Sequence, residues 1–287
     1  MRILPVLITV TVLFLSPPRA RAEIIVKPGE SIAFLGDSIT HQGAESPGGY
    51  VRLVESGLAA QGGEVIVIPA GYSGTTSKGM LQLLDRFVLS KKATWMTLSC
   101  GVNDVMHKAV ELEDYKTAVT AILDRCQQAG IKVVVLTATQ IGLPVTNPAN
   151  VKLAAYNDFL RETAKARNLP LADVNAAMVA EQDALAKADV KRVLTTDGVH
   201  MNVYGNLVMA KAVLATFGLD EGQLTAAQAK WDEIPGLFEK TAKVKLSGRE
   251  LAALEAYAAG QNKSVEAVVA ELSTDAVNAA VKAAPAK

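Results

Sequence analysis

The sequence predicts an α/β fold built on a parallel sheet. Two observations predict it. Short, nearly continuous apolar runs recur along the chain, and helical patterns separate them. Strands covered by helices on both faces read as continuous apolar runs, whereas half-solvated strands alternate. A third observation bears on function: most of these runs end in glycine beside a small polar residue.

The first segment is not part of that pattern. MRILPVLITVTVLFLSPPRARA has Arg2 as a positive start, an apolar stretch from Ile3 to Leu15, and Ala20-Arg21-Ala22 before polar Glu23. This is the pattern of a secretory signal peptide over residues 1–22. The stretch is shorter than the ~20 residues a membrane-spanning helix needs, and Pro5 interrupts it. An exported chain is therefore expected, periplasmic or secreted. Cleavage removes three arginines and no acid, leaving 26 basic against 29 acidic residues. That balance gives no reason to expect a polyanionic partner or nucleic acid.

Five strands follow, at SIAFLGD (31–37), EVIVIPA (64–70), TWMTLSCG (94–101), KVVVLTAT (132–139) and, more weakly, LPLADV (169–174). Helices are expected over 50–61, 79–92, 114–130, 150–168, 175–189 and 202–217. Strand and helix alternate over about 190 residues, which requires right-handed crossovers and a sheet with helices on both faces. The α/β domain is assigned to residues 23–220. The remainder, 221–287, carries no strand-like run and is expected to be a helical C-terminal extension, broken near Gly260 to Ser264. The two cysteines, Cys100 and Cys126, read as buried free thiols with an optional bridge.

In open parallel sheets, ligands bind beyond the carboxyl ends of the strands. The residues there are Gly36-Asp37-Ser38, then Gly71-Tyr72-Ser73-Gly74-Thr75, then Gly101-Val102-Asn103-Asp104, then Thr137, Thr139 and Gln140. A serine hydroxyl is a weak nucleophile. It needs a base, a group to orient the base, and donors for a developing oxyanion. There are three histidines. His41 follows Ser38 by three residues and leans away along any helix that starts there. His107 lies in VMHKAV with nothing to orient it. His200 lies in TTDGVHMN, where Asp197 can fold back onto one imidazole nitrogen and leave the other free for a proton. The same loop also reads as a capping turn, with Asn202 as N-cap of the helix over 202–217. The two readings are compatible. Asp37 and Asp104 are expected to hold their loops through hydrogen bonds and not to act in catalysis.

GDSIT (36–40), GYSGTT (71–76), GVND (101–104) and DGVH (197–200) occur in the order of the blocks of the SGNH, or GDSL-type, hydrolases, and the chain resembles that family over about residues 31–217. The resemblance implies a three-layer α/β/α, flavodoxin-like core with a five-stranded parallel sheet. It implies Ser38 as nucleophile, His200 as base and Asp197 as its orienter. It implies an oxyanion hole made of the backbone N–H groups of Ser38 and Gly74 and the side-chain amide of Asn103. One departure is Pro69, where many relatives carry asparagine. A G-x-S-x-G elbow, a phosphate loop, a dinucleotide fingerprint and H-E-x-x-H are absent from the sequence. No metal and no organic cofactor is implied.

The expected activity is therefore serine ester hydrolysis. Short loops without a long apolar lid favour small acyl groups, acetyl above all, and export together with the family resemblance favours carbohydrate esters. A lysophospholipase, lipase or thioesterase of the same superfamily is the alternative within this chemistry. A noncatalytic carbohydrate-binding scaffold is the alternative outside it.

Overall fold

The computed structural model describes residues 23–106, 110–238 and 244–283. The proposed signal peptide, residues 1–22, lies outside them, as does His107. No helix among the described residues is long and apolar enough to cross a membrane. The chain divides into two units after Leu237.

The first unit contains a five-stranded, fully parallel sheet in the order β2-β1-β3-β4-β5. The strands are β1 (Ser31–Gly36), β2 (Ile66–Gly71), β3 (Trp95–Ser99), β4 (Lys132–Leu136) and β5 (Leu171–Ala172). The inner strands β1 and β3 are buried along nearly their whole length, which is why they read as unbroken apolar runs. β2 lies at the edge and is half-exposed. That position tolerates Pro69, which pairs in register with Phe34 but has no N–H to give a further strand. Only two residues of the expected 169–174 strand pair, because β5 forms the other edge and meets β4 over Val135 and Leu136 alone.

The connecting helices are α1 (Ser38–Glu45), α2 (Tyr50–Ala59), α3 (Ser77–Phe87), α4 (Val102–Met106), α5 (Leu112–Gln128), α6 (Pro148–Ala166), α7 (Val174–Lys187), α8 (Val203–Thr216) and α9 (Glu221–Asp232). They pack in two groups, α2 with α8, α7 and α9, and α3 with α5 and α6. The short helices α1 and α4 begin directly beyond β1 and β3. The order in which strands are added to the sheet reverses between those two parallel neighbours, which is the position where open α/β sheets bind ligands.

The boundary expected after residue 220 moves to Leu237. Trp231 on α9 is fully buried, and its indole N–H donates to Leu53 O at 3.2 Å and Ser56 Oγ at 2.9 Å on α2. Burying a tryptophan contributes on the order of 3 kcal/mol, so α9 belongs with the α/β layers. Cys100 and Cys126 are buried and unbridged. Burial pushes the Cys126 thiol up to about 11, and the Cys100 thiol higher still. Neither forms a reactive thiolate near neutral pH.

In the second unit, α10 (Gly248–Gly260) and α11 (Val265–Ala283) form a helical pair with a break at 261–264. α10 starts with a capping box. The Ser247 N–H donates to the Glu250 carboxylate at 2.7 Å, and the Glu250 N–H donates to Ser247 Oγ.

Candidate active site

The site begins where β1 ends. Asp37 is the N-cap of α1, its Oδ1 accepting the Ile39 N–H at 2.9 Å. Ser38 is then the first helical residue. Its backbone N–H has no intrahelical acceptor and lies at the positive end of the helix. Asp37 is buried, and desolvation pushes its carboxyl up to about 6 despite that cap bond, with Asp104 nearby adding to the rise.

The loop after β2 turns through Gly74, whose φ of +75° suits glycine. A Cβ there would meet nothing within 4 Å, so it is the backbone conformation and not lack of space that favours glycine. The buried Asn103, on α4, donates one amide hydrogen from Nδ2 to Thr75 O at 2.9 Å. This fixes the side chain and leaves its second hydrogen for a ligand. It also ties the loop after β3 to the loop after β2. Asp104 makes a second tie of the same kind. Its carboxylate accepts the Ser77 N–H at 3.0 Å and the Ser77 hydroxyl at 2.6 Å, anchoring the start of α3. The backbone N–H groups of Gly101 and Asp104 also face this carboxylate, so Asp104 serves the Asn103 loop as expected and holds the neighbouring loop as well. Burial raises its carboxyl above the ordinary value, and the Ser77 bonds partly offset the rise.

The segment before α8 is a tight turn closed by a bridge between Thr195 and Met201 and by the Thr196 N–H donating to His200 O at 2.8 Å. Gly198 turns through a φ of +93°. Asp197 folds back over this turn. Its Oδ1 accepts the backbone N–H groups of Val199 and His200 at 2.9 and 2.8 Å, and its Oδ2 lies 2.7 Å from His200 Nδ1. The His200 bond, followed by the two backbone donors, holds the Asp197 carboxyl down to about 2. The other imidazole nitrogen, Nε2, stands 2.9 Å from Ser38 Oγ. Asn202 meanwhile caps α8, accepting the Gly205 N–H at 3.1 Å. The capping turn and the histidine-orienting turn are one structure.

The structure thus brings Ser38, His200 and Asp197 into one hydrogen-bonded chain, with Asn103 and Gly74 on the adjoining loops. It does not bring His41 to the serine. His41 Nε2 is 3.3 Å from Glu45 Oε1, one turn further along α1. Among the described residues, no group of three or more His, Cys, Asp or Glu is placed to hold a metal ion. Sequence reasoning missed Ser77 and Thr75 as loop anchors. Only the tertiary contacts reveal them, since 27 and 28 residues separate them from their partners.

The GDSL-like lipase/acylhydrolase family model matches residues 34–208. An acetylxylan esterase from Geobacillus stearothermophilus is 25% identical over 213 residues, 67% of this chain and 95% of that protein. The crystal structure of an acetylxylan esterase from the same organism shares the fold, with a TM-score of 0.61 at 24% identity, over 68% of this chain and 97% of that one. The acetyl xylan esterase AlAXEase superposes with a TM-score of 0.59 at 29% identity, over 64% of this chain and 98% of its own.

Proposed function

The chain belongs to the GDSL-like lipase/acylhydrolase family of carboxylic ester hydrolases, and from that premise we propose that it removes small acyl groups, acetyl above all, from carbohydrate esters. Ser38 Oγ attacks the ester carbonyl while His200 Nε2 takes its proton. Asp197 holds the imidazole in the tautomer that makes Nε2 the acceptor and stabilises the imidazolium that forms. The tetrahedral oxyanion takes hydrogen bonds from the Ser38 and Gly74 N–H groups and from Asn103 Nδ2. Collapse expels the sugar alcohol, which receives the proton from His200. Water, activated by the same nitrogen, then releases the acid from Ser38.

The observation that carries this reading is the unbroken chain from Ser38 Oγ through His200 to Asp197, with contacts of 2.9 and 2.7 Å. The acetylxylan esterase relatives support the acetyl and carbohydrate parts. The N-terminal leader pattern supports an exported enzyme that meets its substrate outside the cytoplasm.

The test is hydrolysis by the purified mature chain of p-nitrophenyl acetate, p-nitrophenyl palmitate and acetylated xylo-oligosaccharides, with Ser38→Ala beside it. The reading expects acetyl over palmitoyl turnover, acetate release from the oligosaccharides, and neither with Ser38→Ala. A palmitoyl preference would overturn the small-acyl reading. Equal rates from wild type and Ser38→Ala would overturn the nucleophile.

A further inference from the structure

The turn that carries Asp197 and His200 is held from outside by the loop after β4. The Gly142 N–H donates to Gly198 O at 2.6 Å, and Gly198 lies between Asp197 and Val199 at the apex of that turn. The two backbones meet closely. A Cβ on Gly198 would stand 3.4 Å from Gly142 Cα, and Gly142 itself has a φ of +64°. Within the turn, the N–H groups of Val199 and His200 are already taken by Asp197 Oδ1. Those bonds shape the turn but do not place it relative to the sheet.

The first turn of α6 fixes Gly142. Asn147 is the N-cap, its Oδ1 accepting the Asn150 N–H at 3.0 Å while its Nδ2 donates to Ile141 O at 2.7 Å. Asn150 directs its side-chain amide to the loop and not to the helix. Its Oδ1 accepts the Ile141 N–H at 2.8 Å, and its Nδ2 donates to Ile141 O and to Gly142 O, each at 3.2 Å. A capping role does not explain Asn150, since Asn147 fills it, and asparagine inside a helix is less favourable than alanine. Ile141 O and the Gly142 N–H belong to one planar peptide group. Two asparagines hold its carbonyl end, so its N–H end is aimed at Gly198 O.

We propose that Asn150 is a positioning residue for the base, placing His200 against Ser38 through Gly142 and Gly198. The path is short. Asn150 holds the Ile141–Gly142 peptide, that peptide holds Gly198 O, and His200 follows two residues later with its Nε2 2.9 Å from Ser38 Oγ. α6 is a firm support, a helix of 19 residues that buries Leu153, Tyr156 and Leu160. Proton transfer is sensitive to the separation of its two atoms, and a misplacement of about 1 Å costs roughly 10²-fold in rate. The inference rests on the reading of Ser38 as nucleophile and His200 as base.

The test compares kcat and KM on p-nitrophenyl acetate for wild type, Asn150→Ala, Asn150→Asp and Ser38→Ala, with a thermal melt of each. Asn150→Ala removes the three loop bonds and puts a better helix former in α6. Its kcat is expected to fall about 10- to 100-fold, with KM within about twofold of wild type. Asn150→Asp keeps the acceptor for the Ile141 N–H and adds an acid to the first turn of α6, so the helix start is retained should the alanine variant fail to fold. It offers the Ile141 and Gly142 carbonyls a carboxylate oxygen in place of a donor, and its kcat is expected to fall likewise. In a His200→Ala background, Asn150→Ala should lower the residual rate no further, because no base is left to place. A loss that recurs in full in that background would overturn the proposal. So would a kcat within about twofold of wild type in the folded variants, which would make Asn150 a structural residue alone. Activity that needs Ser38 but not Asn150 would overturn this proposal and leave the functional reading. Equal rates from wild type and Ser38→Ala would overturn both.

Discussion

His200 Nε2 stands 2.9 Å from Ser38 Oγ although 162 residues separate them. The contact needs two independently folded turns, the Asp37-capped start of α1 and the Asp197-closed turn before α8. If the two side chains act as one proton-transfer unit, neither works without the other. Ser38→Ala and His200→Ala are each expected to lower kcat on p-nitrophenyl acetate by roughly 10⁴-fold or more. The double variant should be no slower than either single one. Losses that multiply would mean the two residues contribute separately.

Asp197→Asn should lower kcat by about 10²–10⁴-fold while leaving KM near its wild-type value. The amide turns its N–H₂ or a weaker acceptor toward Nδ1 and no longer favours the tautomer with Nε2 free. The carboxyl is held down to about 2 by the His200 bond and the two backbone donors. It therefore stays ionised in the folded chain as pH falls, until that value is approached. An acid limb in kcat/KM above about pH 3 therefore does not belong to Asp197. A pH profile of the wild type that required Asp197 to titrate near pH 5 would contradict this assignment.

Asn103→Ala removes the tie to Thr75 O and, on the proposed mechanism, an oxyanion donor in the same step. Loss of the donor alone costs on the order of 3 kcal/mol in the transition state, or about 10²–10³-fold in kcat. Loss of the tie frees the loop that carries the Gly74 N–H, so the drop should lie at the upper end of that range. Kinetics on p-nitrophenyl acetate and a thermal melt separate the two effects. The melt should move by only a few degrees, because Asp104 still anchors the same loop through Ser77.

The sheet was legible in the sequence wherever a strand is buried on both faces, as the unbroken runs of β1 and β3 show. β5 was overread because the apolar residues of LPLADV do not record that only two of them meet a neighbour. The unit boundary was misplaced because α9 is fixed by Trp231 reaching Ser56, a contact across 175 residues that no local pattern encodes. In the candidate site, Ser38, Asp197 and His200 were legible because each sits in a short motif with glycine at the turn. The Asp104–Ser77 tie and the hold of Asn150 on the loop after β4 were not. Asn150 reads as an ordinary first-turn residue of α6, and only its bonds to Ile141 and Gly142 distinguish it.

Asp37 gives a prediction about stability. Its carboxyl is buried beside the nucleophile, and desolvation raises its folded value to about 6 from the ordinary 3.8. Between those values the folded chain holds a proton that the unfolded chain has released. Stability from this group is therefore fully present below about pH 4 and is lost as pH rises through about 6. At neutral pH the ionised carboxylate costs the fold on the order of 3 kcal/mol as an upper figure. Asp37→Asn keeps the Oδ1 acceptor for the Ile39 N–H and removes the charge, so α1 remains capped. The variant should match wild type in urea melts at pH 4 and exceed it by about 2–3 kcal/mol at pH 7, the gap opening between those limits. A difference that stays flat from pH 4 to 7 would show that the carboxyl does not titrate in that window. A variant less stable than wild type at pH 7 would show that the charge supports the loop and does not strain it.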